Sequence, residues 1–183
     1  MTTKYLLSHV NDVNLIKKTP HKVTREKALY LVFTLAAENY AVDITRLNGV
    51  KGWAAITPIS ETPENICGIL NIREQIVPII DIRKRFNLKE IPYSSITVVI
   101  ILTVEAHNKT HSVGLIVDSL SEMIYLSPDN IEPAPCYRNP ERAKVVTHQV
   151  INERQAVMLL NTDHILHNKL FSKLNKLYRS KLN

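Results

Sequence analysis

Residues 68–88 read GILNIREQIVPIIDIRKRFNL, and no other stretch of the chain predicts the fold so specifically. Even positions from Leu70 to Ile82 are mostly apolar and odd positions mostly polar, which is the period of a half-buried strand pair. The alternation breaks at Glu74. We therefore predict a hairpin with strands at about residues 68–72 and 75–80 and a turn between them.

A short helix is predicted directly after this hairpin. Asp81 lies where a helix N-cap belongs, because its side chain can accept a hydrogen bond from the first free backbone amides. Residues 82–86 suit a helix, and Asn87 is a residue type that commonly ends one. The stretch is thus predicted to form a strand, a turn, a strand and a capped helix.

Other parts of the chain also favour strands. ALYLVFTL at 28–35 and YAVDI at 40–44 form one predicted hairpin, and HSVGLIVDSLSEMIYL at 111–126 forms one or two strands. SITVVIILTVE at 95–105 is almost wholly apolar and β-branched, as expected of a strand that is buried on both faces. The sequence is therefore typical of a mainly β protein.

The hairpin recurs about eighty residues later, in VVTHQVINERQAVMLLN at 145–161. Six positions of the first copy agree in kind with the second: Gln75, Val77, Ile79, Ile80, Asp81 and Phe86 correspond to Gln155, Val157, Leu159, Leu160, Asn161 and Leu166. One interpretation is a small β unit built twice. The alternative is a chance likeness of two hairpins.

The net charge of +6 is concentrated at the two ends of the 183-residue chain. Residues 1–27 carry a net +4, residues 164–183 carry +5, and the body between them carries −3. We predict a flexible basic arm at 1–27 and a basic C-terminal helix or tail at 168–183. A nucleic-acid groove in the folded body is disfavoured.

The sequence carries no recognisable catalytic or metal-binding motif. Its four glycines form no phosphate-binding loop, and neither HExxH nor GxSxG occurs. Cys67 and Cys136 are predicted to be free thiols. No apolar run reaches the roughly 18 residues of a membrane span, so we expect a cytoplasmic protein without direct membrane insertion. Because the motifs named above are missing, we also expect it to be non-catalytic and to have no cofactor or metal.

The predicted unit at 68–88 resembles the signature of the CheW family, the adaptor proteins of bacterial chemotaxis. The likeness extends over about residues 28–167, with support from FTLAAENYAVDI and from VGLIVDSLSEMIYLSPDNIEPAP. It implies two SH3-like, five-stranded β-barrels packed side by side, with short helices. It also implies an adaptor at receptor arrays that links the cytoplasmic tip of a methyl-accepting chemoreceptor to the regulatory domain of a CheA-type histidine kinase.

The resemblance further implies a receptor-binding groove between the barrels. Its motif arginine corresponds to Arg73, whose planar guanidinium suits the carboxylates or terminal carbonyls of a helix. The chain departs from the family where a glutamate is usual, at Gly49, and where a glycine is usual, at Glu74. The complete set of predicted groove residues is Leu47, Gly49, Val50, Leu70, Asn71, Ile72, Arg73 and Glu74.

Three hypotheses remain open from the sequence. The first is a chemotaxis adaptor of the CheW type. The second is a divergent copy, in a pilus-type or other sensory system, that has lost one partner. The third is a β-barrel module that binds nucleic acid through its basic ends, which a strong salt dependence of binding would reveal.

Overall fold

The computed structural model describes residues 26–53, 56–58, 66–72, 75–106, 108–152 and 155–166. The predicted N-terminal arm up to residue 25 and the predicted C-terminal tail at 168–183 lie outside these residues. So do Arg73 and Glu74. The described chain is mainly β, as predicted, with two sheets and two short helices.

Eleven strands and two α-helices are described, numbered here in chain order. The strands are β1 Ala28–Leu35, β2 Glu38–Asp43, β3 Leu47–Gly52, β4 Ile66–Ile72, β5 Gln75–Ile80, β6 Val98–Ala106, β7 Lys109–Val117, β8 Ser119–Leu126, β9 Glu132–Pro133, β10 Val146–Asn152 and β11 Gln155–Leu160. The helices are α1 Ile82–Phe86 and α2 Pro140–Val145.

The strands form two sheets with mixed pairing. Sheet I has the order β3-β6-β7-β5-β4, and sheet II has the order β8-β1-β2-β11-β10-β9. Most neighbours are antiparallel, but β5 pairs with β7 and β11 pairs with β2 in parallel. All strands of sheet I come from one continuous stretch, whereas sheet II combines strands from before and after that stretch.

The predicted repeat is visible in the geometry of two hairpins. β4 and β5 pair from Ile66 with Ile80 to Ile72 with Gln75, and β10 and β11 pair from Val146 with Leu160 to Asn152 with Gln155. Each hairpin has a register shift after its first residue pair. The two hairpins therefore have the same register at an offset of eighty residues, as the sequence likeness predicts.

The predicted caps are also found. Oδ1 of Asp81 accepts a hydrogen bond from the backbone amide of Arg83 at 3.0 Å, and Asn87 ends α1 in the left-handed conformation. In the second unit, Oδ1 of Asn161 accepts from the amide of Asp163 at 3.1 Å. That second unit continues as a 3₁₀ turn at Thr162–His164, and the residues after Leu166 lie outside the description.

One core is shared between the sheets, and each sheet adds a smaller core of its own. β6 contributes to two of them: Ile100, Leu102 and Val104 pack into the shared core, and Val99 and Ile101 pack into the core of sheet I. This arrangement confirms the prediction that the SITVVIILTVE strand is buried on both faces. It makes β6 part of the contact that holds the two sheets together.

The half-buried alternation predicted for residues 68–88 holds for β4 but not for β5. Val77, Pro78, Ile79 and Ile80 are all buried, because β5 lies between two other strands and faces a core on either side. The polar positions beyond it are buried as well, since Asp81 and Arg83 are each 1% exposed. The prediction of a solvent-facing polar side was wrong there.

Candidate partner-binding groove

The first wall of the candidate groove is β3, which starts after a capped helical turn. The carboxylate of Asp43 accepts a hydrogen bond from the amide of Thr45 at 2.8 Å and so fixes the 3₁₀ turn at Ile44–Arg46. β3 then pairs with β6, with a register shift between Leu47 and Gly49. The residue at the shift is Asn48, and its Nδ2 donates to Oγ1 of Thr103 at 2.7 Å.

A groove of about 510 Å³ opens beside this irregularity. Asn48 lines it on one side, and Gln75, at the start of β5, lines it on another. Its remaining lining residues are Ile76, Val77, Pro78, Thr103, Thr110, His111, Ser112 and Leu166. The lining combines apolar side chains of β5 with hydroxyl, amide and imidazole groups of β3, β6 and β7.

This groove lies beside two parts of the chain that the family resemblance predicts to act together, but none of the predicted residues that the structure describes lines it. Asn48 stands between the predicted residues Leu47 and Gly49, and Gln75 follows Arg73 and Glu74 directly. The two segments belong to opposite halves of sheet I, whose order separates β3 from β5 by two strands. Sheet curvature allows both to border one concave surface.

The apolar residues predicted for the groove wall differ in their exposure. Val50 is exposed, whereas Leu70 is buried in the core of sheet I and Ile72 packs half-buried against it. Leu47 packs against the shared core. Asn71 is exposed, opposite Ile76 in the hairpin.

The size of the groove limits what it can hold. An α-helix with its side chains is about 10–12 Å wide and rises about 5.4 Å per turn, so one turn fills roughly 400–600 Å³. A groove of about 510 Å³ therefore holds about one helical turn, or the side chains that one face of a longer helix presents. Its mixed lining favours a helix face with both apolar and hydrogen-bonding residues.

Leu166 reaches the groove because three hydrogen bonds hold the chain segment before it. Asp163 accepts from the backbone amide of Glu105 at 2.8 Å and from Nη2 of Arg46 at 3.0 Å. Arg85 donates to the carbonyl of Ile165, and burial lowers the pKa of this guanidinium. The sequence marks Leu166 only by its likeness to Phe86, because the contacts that position it come from distant strands.

Asp81 and Arg83 form a buried ion pair that the sequence pattern does not indicate. Nε and Nη2 of Arg83 donate to the two carboxylate oxygens of Asp81 at 2.9 and 2.7 Å. These hydrogen bonds raise the pKa of Arg83. Tyr93 donates to the same carboxylate at 3.0 Å, and its ring lies in tilted contact with that of Trp53, which follows β3.

The remaining donors of Arg83 connect sheet I to sheet II. Its Nη1 donates to Oδ1 of Asp118 at 2.6 Å and to the carbonyl of Ile91 at 3.0 Å. Asp118 stands at the corner where β7 of sheet I leads into β8 of sheet II, and its other oxygen accepts from the amide of Ala36 at 2.6 Å. Arg83 thus fixes the corner between the sheets.

Three groups of polar contacts have been described: the Asn48–Thr103 bond and the contacts of Asp163, which lie near the surface, and the Arg83 cluster, which is buried. Within the described ranges, no three His, Cys, Asp or Glu side chains are grouped as a metal ion would need. No described helix is long and apolar enough to span a bilayer. The geometry suits the binding of a protein segment.

Comparison with known proteins agrees with this architecture. The sequence profile of the CheW-like domain matches residues 29–170. The chain belongs to the CheW-like domain family. A solved relative, the scaffolding protein TtCheW from Thermoanaerobacter tengcongensis, superposes with a TM-score of 0.65 at 32% identity, covering 74% of this chain and 89% of that one.

Chemotaxis proteins named CheW are also similar in sequence. The protein of Klebsiella aerogenes is 39% identical over 106 residues, and that of Bacillus subtilis is 32% identical over 105 residues. The matched stretches cover 58% and 57% of this chain, and 61% and 65% of those relatives. The CheW of Treponema pallidum matches over 160 residues at 28% identity, which is 85% of this chain and 89% of that protein.

Proposed function

We propose that this CheW-like chain is a non-catalytic adaptor of bacterial chemotaxis. It links the cytoplasmic tip of a methyl-accepting chemoreceptor to the regulatory domain of a CheA-type histidine kinase, in the cytoplasm at receptor arrays on the inner membrane. The observation that carries the proposal is the family match over residues 29–170, on a fold that a solved scaffolding protein shares.

The groove supports a role in receptor binding. It is bordered by the chain neighbours of Gly49 and Glu74, and its volume corresponds to about one helical turn. A receptor tip is a helical hairpin, so one face of that hairpin would fill the groove, and Arg73 would bind carboxylates or carbonyls at its rim. The role in receptor binding of the predicted residues Leu47, Gly49, Val50 and 70–74 is part of the same proposal.

The alternatives have less support. No observation on the described residues favours nucleic acid, and the basic excess lies mainly beyond the described folded body, at the two ends of the chain. A divergent copy in another sensory system would keep the same fold. The departures from the family at Gly49 and Glu74 are the reason to consider this alternative. Separate binding measurements with the two partners distinguish it from a complete adaptor.

The test is calorimetric titration of the full chain with two partners in separate experiments: a chemoreceptor cytoplasmic hairpin and a CheA regulatory domain. We expect both to bind the unaltered protein. Arg73→Glu should weaken receptor binding by about tenfold or more and leave kinase binding unchanged, because reversing a charge at an interface rim repels its partner. The matched control is Arg138→Glu, an exposed arginine in the segment before α2.

Each outcome has a distinct meaning. Binding to neither partner would overturn the adaptor function. Binding to one partner alone would support the copy that has lost a partner. Equal losses of receptor affinity in Arg73→Glu and Arg138→Glu would show a general charge effect and would remove Arg73 from the site.

A further inference from the structure

The outer edge of sheet II carries an unusual concentration of exposed apolar side chains. Of the large hydrophobic residues that are exposed in the described chain, three lie on β8: Leu120, Met123 at 57% exposure and Tyr125 at 68%. β8 is the end strand of its sheet and pairs only with β1 among the described strands. Its other edge therefore offers a row of backbone donors and acceptors with no partner strand in the described chain.

Met123 and Tyr125 continue a buried face of the sheet. They stand opposite Leu31 and Leu29 of β1, and Leu31 belongs to the core shared by the two sheets. Paired residues of an antiparallel ladder point to the same side of a sheet. The apolar side of β8 is therefore an extension of the shared core that nothing in the described chain covers.

The surroundings of this edge are acidic. No lysine or arginine occurs between Lys109 and Arg138, whereas Asp118, Glu122, Asp129 and Glu132 do. Asp118 pairs with Arg83, but the last three are exposed and form no ion pair with another described residue. An apolar edge with carboxylates beside it that form no ion pair in the described chain favours an extended partner that is both apolar and basic.

The chain itself supplies such a segment at the right place. Residues 1–27 carry a net charge of +4, and they include an apolar group at 5–7 and the apolar residues Val13, Leu15 and Ile16. β1 begins at Ala28, which pairs with Leu126 at the end of β8. The preceding segment therefore leaves the described fold one strand away from the free edge.

The length of this segment is sufficient. Crossing the end of β8 spans two strand spacings, roughly 10 Å, which about three extended residues cover. A strand matching the eight residues of β8 needs about eight more, so about eleven of the 25 undescribed residues suffice. The connection would place the added strand parallel to β8, since it must end beside Leu126.

We propose that the basic N-terminal arm of this protein adds a strand to the free edge of β8 and covers Met123 and Tyr125. Its lysines lie near Glu122 and Asp129, and its backbone completes the hydrogen bonds of the edge. This contact is independent of the receptor groove. It protects the edge from pairing with other chains and occupies a surface that a partner strand would otherwise use.

Hydrogen exchange of the full-length protein, followed by mass spectrometry, tests the proposal. In the unaltered chain, the β8 amides on the free edge should be protected. The variant Leu7→Pro with Leu15→Pro removes two backbone donors from the arm without changing its charge. It should make the same β8 amides exchange roughly tenfold faster, while the β6 amides keep their protection as evidence of an intact fold.

The control variant is Leu174→Pro with Leu177→Pro, which makes the same type of change in the basic C-terminal segment. We expect it to leave β8 exchange unchanged. A response to this control instead of the arm variant would identify the C-terminal segment as the occupant and overturn the proposal. β8 protection that depends on protein concentration and not on the arm would indicate a second copy and would also overturn the proposal. A β8 edge that is unprotected in the unaltered chain would overturn it as well.

Discussion

Arg83 and Asp118 form a 2.6 Å ion pair at the corner where the chain passes from sheet I to sheet II. The guanidinium is 1% exposed and Asp81 holds it in place from its own side. Arg83 also donates to the loop carbonyl of Ile91, so one side chain connects α1, the loop before β6 and the corner. The relative position of the two sheets at this corner depends on this contact.

Arg83→Met should therefore destabilise the protein strongly. The substitution leaves Asp81 buried without its cation, and breaking a buried ion pair costs about 3–5 kcal/mol in the free energy of unfolding. The measurement is urea unfolding followed by circular dichroism. Lys84→Met is the matched control, because Lys84 is the exposed neighbour on the same helix and should shift stability by less than about 0.5 kcal/mol. Equal effects of the two variants would contradict the structural role of Arg83.

Ile100→Asp tests the shared core. Ile100 is fully buried between the sheets, so a carboxylate there has no water and no cation. We expect a loss of several kcal/mol, enough to unfold a domain of ordinary stability. Ile96→Asp, at a position that is 65% exposed just before β6, is the control and should melt within a few degrees of the unaltered protein. A similarly small effect of Ile100→Asp would mean that β6 is not core.

The departures from the family at Gly49 and Glu74 predict a gain of binding. Gly49→Glu combined with Glu74→Gly moves a carboxylate away from Arg73 to β3 without changing the net charge. If the site has drifted from the standard adaptor, calorimetry should show tighter receptor binding, by about threefold or more. Weaker binding would instead indicate tuning to a particular receptor, and no change would place the groove elsewhere.

Two controls separate the effect of the new carboxylate from the effect of replacing glycine in the backbone of β3. Gly49 has a φ of 158°, a conformation that other residues adopt less readily, although a Cβ there would meet no atom within 4 Å. Gly49→Ala reports the cost of that conformation alone. Gly52→Glu with Glu74→Gly places the same charge further along β3, where a Cβ also has open space. Only the Gly49→Glu pair should change receptor affinity specifically.

The two cysteines should differ in reactivity. Cys136 is exposed, whereas Cys67 is partly buried on β4, and burial raises the pKa of the Cys67 thiol. Since the thiolate is the nucleophile, alkylation with iodoacetamide at pH 8 should modify Cys136 faster by about tenfold or more. The difference should narrow as the pH rises and the Cys67 thiol ionises. Single Cys67→Ser and Cys136→Ser variants assign the two rates, and equal rates would contradict the burial of Cys67.

The features that could be predicted from the sequence are those that depend on residues close together along the chain. The hairpin at residues 66–80, its cap at Asp81 and its repeat at 146–160 follow from period and capping, which act over a few positions. Contacts between distant residues could not be predicted in this way. Arg83 and Asp118 are 35 positions apart, and nothing local marks an arginine in a capped helix as buried.

The groove was predictable only in part. Leu47 and Gly49, which the family resemblance predicts, only flank the lining residue Asn48. Asn48, Ser112 and Leu166 line the groove because of how β3, β7 and the last turn are placed in the fold, which local sequence patterns do not predict. Leu70 shows that the sequence could also assign a core residue to the groove wall. Its apolar side chain suits a groove wall and a core equally well in sequence, and the structure buries it in the core of sheet I.

The division of strands between the sheets has a consequence for synthesis on the ribosome. Sheet I uses only residues 47–117, so all its strands exist before β8 is made. β2, by contrast, must wait for β11, because Tyr40 pairs with Met158. We expect sheet I to fold first while β1 and β2 remain without their last partner, so that a nascent chain arrested before residue 155 exposes an incomplete sheet II to chaperones and to other chains.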